Sequence, residues 1–447
     1  MTISIASSRS RPVPAEHRSN FNHLVYDIAW FGVLNGSAIA FVAVYATRLG
    51  ASAFQLSLLT ALPAVVNLLF ALPAGRWLQD QPLSRATFKV SIFHRVFYLI
   101  WVFLPLWFSN QGQVWMLVAL TVLMSIPGTA LAIGFNGTFA AAVPPEWRGR
   151  VVGVRNAAYA LTSIAVTLAC GRLLDTVPFP LGYQIVFMIG AVGAVMSSLH
   201  LWYVRPADEH RQPGTGRSMG DWADPGEFNM WQSVRLSVGL RFLTRANPLS
   251  SKWFNPVKDH TFRNVLLLVF AMHLALYLAI PLFPLFLVRE IDLADQIIGL
   301  GNSVFYIALF LTSTQLDRAT DSLGNRRTMA LGIIIISLYP LLISQASGPG
   351  LYLIASIMGG AGWALAGGAV GNYVLEKTPD DSRPSYLAWY NMALQGGILL
   401  GALIAPVLAG WWGLTAALLF AGACRVLIGL ATWRTRQWEP AARATGQ

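Results

Sequence analysis

Apolar residues along this chain come in long blocks, closed by short breaks that are polar or rich in glycine. A membrane-spanning helix needs about 20 mainly apolar residues. Twelve blocks meet that length, at about 21–47, 53–79, 86–108, 113–143, 151–174, 182–204, 263–288, 296–316, 328–345, 350–375, 385–410 and 413–433. The pattern predicts an all-α membrane protein of twelve transmembrane helices. It divides into an N-terminal tail over 1–20, a six-helix half over 21–204, a polar linker over 205–262, a second six-helix half over 263–433 and a tail over 434–447.

The two halves repeat one another. At an offset of 241, Phe21 falls on Phe262, Arg48 on Arg289, Gln55 on Gln296, Asp80 on Asp321, Arg85 on Arg326 and Thr87 on Thr328. At an offset of 235, Pro144 falls on Pro379, Arg148 on Arg383 and Asn156 on Asn391. A parallel duplication of this kind is the sequence mark of a duplicated transporter fold.

Composition removes the soluble alternatives. Charged residues make up 11% and apolar residues 55%, whereas a soluble chain carries about 25% charged residues. The net charge of +11 would point to nucleic acid in a soluble protein, but here it follows membrane topology, so no nucleic-acid partner is expected. With the N-terminus in the cytoplasm, all but three of the 31 Lys and Arg residues fall on cytoplasmic loops or helix ends. That bias places both termini inside. The exceptions are Arg48, Arg172 and Arg289. Cys170 and Cys424 both lie in apolar runs, so no thiol metal site or disulfide framework is expected. Residues 1–20 lack the apolar core of a cleavable signal, which leaves the first span to direct insertion. In the linker, Asp224-Pro225-Gly226-Glu227 starts a helix. Trp231, Val234, Val238 and Phe242 then share a face opposed by Arg235, Arg241 and Arg245, which predicts a basic amphipathic helix on the inner membrane surface.

The break between spans eight and nine reads Asp321-Ser-Leu-Gly324-Asn-Arg326-Arg327, and Asp80 with Arg85 answers it in the first half. Twelve spans in two parallel halves with this loop resemble the major facilitator superfamily over about 20–435. The resemblance implies a secondary transporter and an architecture of that type. Physically, Asp80 and Asp321 are placed to accept charge-assisted hydrogen bonds from basic side chains or helix N-termini. Together with Arg85, Gly324, Arg326 and Arg327 they read as a cytoplasmic gate that favours the outward-open state.

Ionisable residues inside spans are functional candidates by default. Asp27 lies six residues beyond Phe21, about 9 Å into the membrane, and His273 lies ten beyond Arg263, about 15 Å deep. Either is a candidate for proton coupling. Against that stand a structural pair of Asp27 with Arg155 or Arg95, and a hydrogen-bonded packing role for His273. Arg155 and Arg425 lie one and two turns from cytoplasmic helix ends, from which both are expected to snorkel outward. The resemblance puts spans one, four, seven and ten around a central cavity. It thereby implies that Asn35, Asn136, Trp363, Asn372 and Tyr373 face the substrate, with Arg155 and Asn391 beside them. Trp30, Tyr306 and Tyr390 are candidates for aromatic walls, with core packing ahead of that role for each. Amides next to glycine equally bridge helices.

No His-Glu-x-x-His, phosphate loop or Gly-x-Ser-x-Gly occurs, so neither an enzyme nor a cofactor is expected. The sequence reads as a monomeric secondary active transporter of the plasma membrane, the inner membrane of a bacterium. It would move a small organic solute by alternating access on the proton gradient, with export ahead of uptake. The alternatives are a proton-coupled metabolite or sugar symporter and a transporter-like assembly protein that moves no solute.

Overall fold

The helices begin where the sequence supplies partners for their unbonded N–H groups. The second span, α2 (Ala53–Gln79), opens on a capping box. Ser52 Oγ accepts from the Gln55 amide at 3.2 Å, and Gln55 Oε1 accepts from the Ser52 amide at 2.8 Å. Asp259 caps α7 (His260–Tyr277) by accepting from the amides of Thr261 and Phe262 at 2.9 and 3.2 Å. Both α5 (Pro145–Thr176) and α10 (Pro349–Glu376) start on a proline, which needs no donor there.

This computed structural model describes residues 15–205, 253–379 and 382–434. The amphipathic helix expected in the linker lies outside the described residues. Besides the four helices just named, the spans are α1 (Ala15–Leu34, resumed as Ala40–Arg48), α3 (Leu83–Trp107), α4 (Asn110–Ala142) and α6 (Leu181–Trp202), followed by α8 (Asp295–Ser313) and α9 (Leu316–Ile343). The helical stretch Arg383–Arg434 supplies the last two. Gly413 (φ 82°, ψ 166°) breaks it into α11 (383–412) and α12 (414–434), because only glycine takes that backbone conformation without strain. Among the described residues this gives twelve all-helical spans in two halves of six.

Three spans depart from a simple rod. A π-turn, Asn35–Ile39, interrupts α1. Past Tyr277 the chain continues as short turns to Glu290 rather than as one helix through 288, since Pro281 and Pro284 remove donors and crowd the preceding turn. The helix of α9 starts at Leu316 and turns a corner at Gly324 (φ 76°, ψ 159°), so the charged break is helical on both sides of that glycine.

With an even number of crossings in each half, the chain ends at 15, 205, 253 and 434 share one face, called here the terminal face. At the opposite face the largest apolar cluster joins the halves, with Phe41, Tyr45 and Leu49 against Leu287, Leu293 and Ile298. The crossing of α5 and α8 is close. A Cβ on Gly299 would lie 3.0 Å from the Thr167 carbonyl, and one on Gly171 3.1 Å from Gln296 Cα. Small residues at such crossings let membrane helices approach. Near the terminal face Trp253 packs with Leu78 of α2 and Ala388 of α11, again across the halves. Large apolar side chains such as Phe93, Leu161 and Leu427 stand exposed on the outside of the bundle, the surface lipid would cover. Exposed Trp107 and Trp411 at one face, and Trp202 and Trp433 at the other, stand where aromatic residues meet lipid headgroups.

Candidate functional site

Four helices converge on Asp27. Its side chain has no exposed surface. The Ser197 hydroxyl of α6 donates to Oδ1 at 2.5 Å, Arg155 Nη2 of α5 lies 3.4 Å from Oδ2, and Arg95 Nη2 of α3 lies 3.7 Å from Oδ1. Arg155 Nη1 also donates to the Leu24 carbonyl, and Arg95 Nη1 to Ser198 Oγ at 2.9 Å. A buried carboxylate needs such partners, because an uncompensated charge in this setting is prohibitively costly. Arg155 therefore does not snorkel; its second tie to the α1 backbone draws it inward.

Beside this cluster the first half forms a partly open cavity of about 270 Å³. Arg95 and Arg155 line it together with Asn136, Asn156 and His94. The Arg155 guanidinium sits 4.8 Å from the Phe135 ring centroid and 5.8 Å from that of Phe139, both of them wall residues. Deeper in the wall, the Thr129 hydroxyl donates to Asn67 Oδ1 at 3.0 Å. His94 Nδ1 lies 2.8 Å from the Met124 carbonyl. The sequence reading named Arg155, Asn136 and Arg95 but missed Ser197, Asn67, His94 and Thr129. Polar residues of spans two to six at matching depth were the available signal.

The remaining candidates divide among other places. Asn35 sits in the π-turn of α1, and its Nδ2 donates to Tyr306 Oη of α8 at 3.1 Å, a bridge between the halves. Tyr306 meets the Tyr159 ring edge-on at 6.3 Å. Trp363 packs in the same cross-half cluster with Ile28 and Leu309. Half-buried Trp30 lies where α1 crosses α6, its carbonyl 2.9 Å from where a Cβ on Gly193 would stand. Tyr373 and Tyr390 belong to an apolar cluster of the second half with Phe262 and Val265. Asn391 is buried, and Asn372 keeps a buried Oδ1 without a hydrogen-bond partner among the described residues. His273 is 6% exposed, with Nδ1 2.8 Å from the Val269 carbonyl one turn back. A Cβ on Gly397 of α11 would lie 3.0 Å from the His273 Cβ, and among the described residues no hydrogen bond or ion pair links His273 to the Asp27 cluster. Arg425, expected to reach outward, is 2% exposed. It donates to the carbonyls of Ala275 and Leu276 at 3.1 and 2.7 Å, at the end of α7 where the helix unwinds.

At the opposite face, polar ties cross between the halves. Arg48 Nη2 and Nε donate to Asp295 Oδ1 at 2.8 and 3.0 Å, and Tyr183 Oη donates to Oδ2 at 2.7 Å. Arg48 also donates to the Leu293 carbonyl at 2.9 Å, and its repeat mate Arg289 to the Ala51 carbonyl at 2.7 Å. Arg172 Nη1 donates to Gln296 Oε1 at 3.3 Å. The three arginines that stood outside the charge bias are thus the three that tie this face shut. The sequence reading missed Asp295 and Tyr183.

The terminal face differs. Asp80, Arg85, Asp321 and Arg327 are exposed, and among the described residues neither aspartate is within ion-pair distance of a basic group. Arg326 donates to the Thr432 carbonyl of α12 at 3.0 Å. Gly324 makes the corner between these side chains.

A family model described as Major Facilitator Superfamily matches residues 25–257 and 265–447. Multidrug resistance protein 2 of Bacillus subtilis (strain 168) is 26% identical over 159 residues, which span 36% of this chain and 39% of that protein. Among solved structures, the nucleoside transporter NupG superposes with a TM-score of 0.65 at 13% identity, covering 93% of this chain and 99% of its own. The xylose transporter XylE from E. coli, in a partially occluded inward-open conformation, gives 0.64 at 13% identity over 95% and 98%. At these identities the structural likeness speaks for the fold.

Proposed function

The chain belongs to the Major Facilitator Superfamily, and from that premise we propose that it moves a small organic solute by alternating access, coupled to protons through Asp27. The family makes it a transporter rather than an enzyme. The observation that carries the reading is the contrast between the two faces. One is tied across the halves by Arg48, Arg172 and Arg289, while the signature acids Asp80 and Asp321 of the other stand exposed, without an ionic partner among the described residues. A carrier that closes one face at a time needs two such sets of ties, each made in only one state.

On the charge bias, the terminal face is cytoplasmic, both termini are inside, and the structure is closed to the outside in the plasma membrane, a bacterial inner membrane. Asp27 is the proton site because it is the carboxylate deep in a span and adjoins the cavity, whereas His273 bonds its own helix. Export stands ahead of uptake on the partial likeness to multidrug resistance protein 2. The transporting unit is one chain, since each half of the bundle completes the other.

Proteoliposomes carrying a pH-sensitive dye test the reading. A transported solute should drive proton flux in the wild type. Asp27→Asn should still exchange labelled for unlabelled solute while losing gradient-driven accumulation, since an amide cannot cycle a proton. Accumulation by Asp27→Asn with wild-type dependence on the pH gradient would remove Asp27 from coupling.

A further inference from the structure

We propose that the cavity beside Asp27 binds a small organic anion through Arg155 and Arg95, and that this anion and a proton on Asp27 load together. The inference rests on the transporter reading only in treating the occupant as cargo. It reverses the direction favoured there, because a solute that loads with a proton crosses with it and is taken up on the gradient. The first observation is where the charges stand. Arg95 and Arg155 both line the cavity, no acid among the described residues does, and the Asp27 side chain, which contacts both, has no exposed surface. The wall therefore offers positive charge, with the compensating carboxylate set back from it.

The second observation is how the pair is held. Charge-assisted hydrogen bonds between a nitrogen cation and a carboxylate close to about 2.7–2.9 Å, yet the two arginines stand 3.4 and 3.7 Å from Asp27. The nearest partner of the carboxylate is the Ser197 hydroxyl at 2.5 Å. Arg155 also holds the Leu24 carbonyl and Arg95 the Ser198 hydroxyl, so each guanidinium divides its donors between the carboxylate and other groups. Arg155 lies over the Phe135 ring, between the carboxylate and the open space. The third observation is the rest of the wall. Ile28, Phe31 and Phe139 supply apolar surface, and Asn136 and Asn156 line the same cavity. That combination suits a flat apolar body with one anionic group.

An anion seated on Arg155 would share the two guanidiniums with the Asp27 carboxylate, and two like charges in a water-poor cluster repel. A proton on Asp27 removes the repulsion and releases Arg155 toward the cavity. Anion and proton then favour each other, and linkage makes the factor the same in both directions. The other titratable groups near the cluster are His200 of α6, which lies in the field of Asp27, its partner His23 of α1 at 3.0 Å between Nδ1 atoms, and His94 on the cavity wall. An Asp27 variant separates their contribution from that of the carboxylate.

The test uses the purified full chain in detergent with benzoate, benzamide and benzylamine, which share a ring and differ in charge. Thermal stabilisation by each is read at pH 6 and pH 8, where benzoate stays ionised. Benzoate should stabilise the wild type, and more tightly at pH 6, while benzamide and benzylamine do not. Asp27→Asn should bind benzoate equally at both pH values. Arg155→Gln should weaken benzoate by about tenfold to a hundredfold, the loss of one charge-assisted contact. Should Arg155→Gln fail to fold with Asp27 left facing one cation, the double variant Asp27→Asn/Arg155→Gln removes both members of the pair. It should fold and lose the benzoate binding that Asp27→Asn alone retains. Equal binding of the three probes, no benzoate effect at millimolar concentration, or full benzoate binding by the double variant overturns the proposal. Proton-coupled transport of a neutral solute that is indifferent to Arg155 would also overturn it while leaving the transporter reading standing.

Discussion

Arg48 and Arg289, related by the internal repeat, cross the gap between the halves in opposite directions. Arg48 reaches from α1 to Asp295 and the Leu293 carbonyl. Arg289 reaches back from the end of the α7 segment to the Ala51 carbonyl. A duplicated gene thus supplies one arginine at the same place in each half, and pseudo-twofold packing lets each close on the other. Both oxygens of Asp295 are engaged, by Arg48 and Tyr183, so this carboxylate is the most densely bonded point of the seal.

Asp295→Asn should accordingly loosen the opposite face. The amide keeps a hydrogen-bonding shape but loses the charge. Arg48 is about a quarter exposed, so the tie is worth about 1–2 kcal/mol, a shift of roughly 5–30-fold in the population of open and closed states. Spin labels at Thr176 and Asp292 would report it as a longer distance component absent from the wild type. An unchanged distribution would show that apolar packing alone holds this face.

The twelve spans were legible because each apolar block is long enough and ends on a polar break or a glycine such as Gly413. The Asp27 pairing with Arg155 or Arg95 was legible as one of two readings, since helix register sets the depth of each group. Asp295 was not legible. Which acid at a helix end meets Arg48 depends on how the halves approach, and nothing within either segment encodes that distance. Arg425 was misread for a related reason. Depth counted along its own helix suggested a path outward, but two of the carbonyls it bonds lie where α7 unwinds after Tyr277, and the third, Ile336 of α9, faces Pro340, which has no N–H to offer it. Pro281 and Pro284 were the available sign of that unwinding.

Arg425 therefore acts as the cap of a broken helix. Arg425→Met fills a similar volume but leaves the carbonyls of Ala275 and Ile336 without the guanidinium and Leu276 with only the long bond from the Ala279 amide at 3.4 Å. Each lost partner costs about 1–3 kcal/mol, part of which is returned because no guanidinium has to be desolvated. A net loss of about 2 kcal/mol or more is expected, seen as a lower unfolding midpoint of the detergent-solubilised protein. Arg425→Lys should fall between, since one ammonium cannot serve three separated carbonyls. A midpoint equal to that of the wild type in Arg425→Met would reduce Arg425 to a space-filling residue.

The proposed orientation is checked at exposed loop positions. Single cysteines at Ser109 and Ser347, on the opposite face, should react with an impermeant thiol reagent on intact cells. One at Gln81, on the terminal face, should react only after permeabilisation. The endogenous Cys170 is buried, and Cys424 is partly buried in its span, so a version with both replaced by serine or alanine gives the clean background. Labelling of Gln81 alone on intact cells would invert the map.

The terminal face offers a prediction of opposite sign to that of Asp295. Here Asp321 is exposed and has no ionic partner among the described residues, so removing its charge should cost this conformation almost nothing. If Asp321 and Asp80 make their ties when the terminal face closes, Asp321→Asn weakens only that closed state. The population then moves further toward the state seen here, because a contact made in one state biases the equilibrium by its own free energy. Spin labels at Gln81 and Ser322 should show the longer distances gain weight in Asp321→Asn. In the wild type a solute that drives cycling should restore the shorter ones. The two effects combine simply, since Asp295 and Asp321 lie at opposite ends of the bundle and distant sites act additively. Asp295→Asn/Asp321→Asn should therefore sit between the single variants in both distance pairs. Unchanged distances at the terminal face in Asp321→Asn would mean that the paired acids of the repeat serve insertion and orientation, with the closing ties made elsewhere.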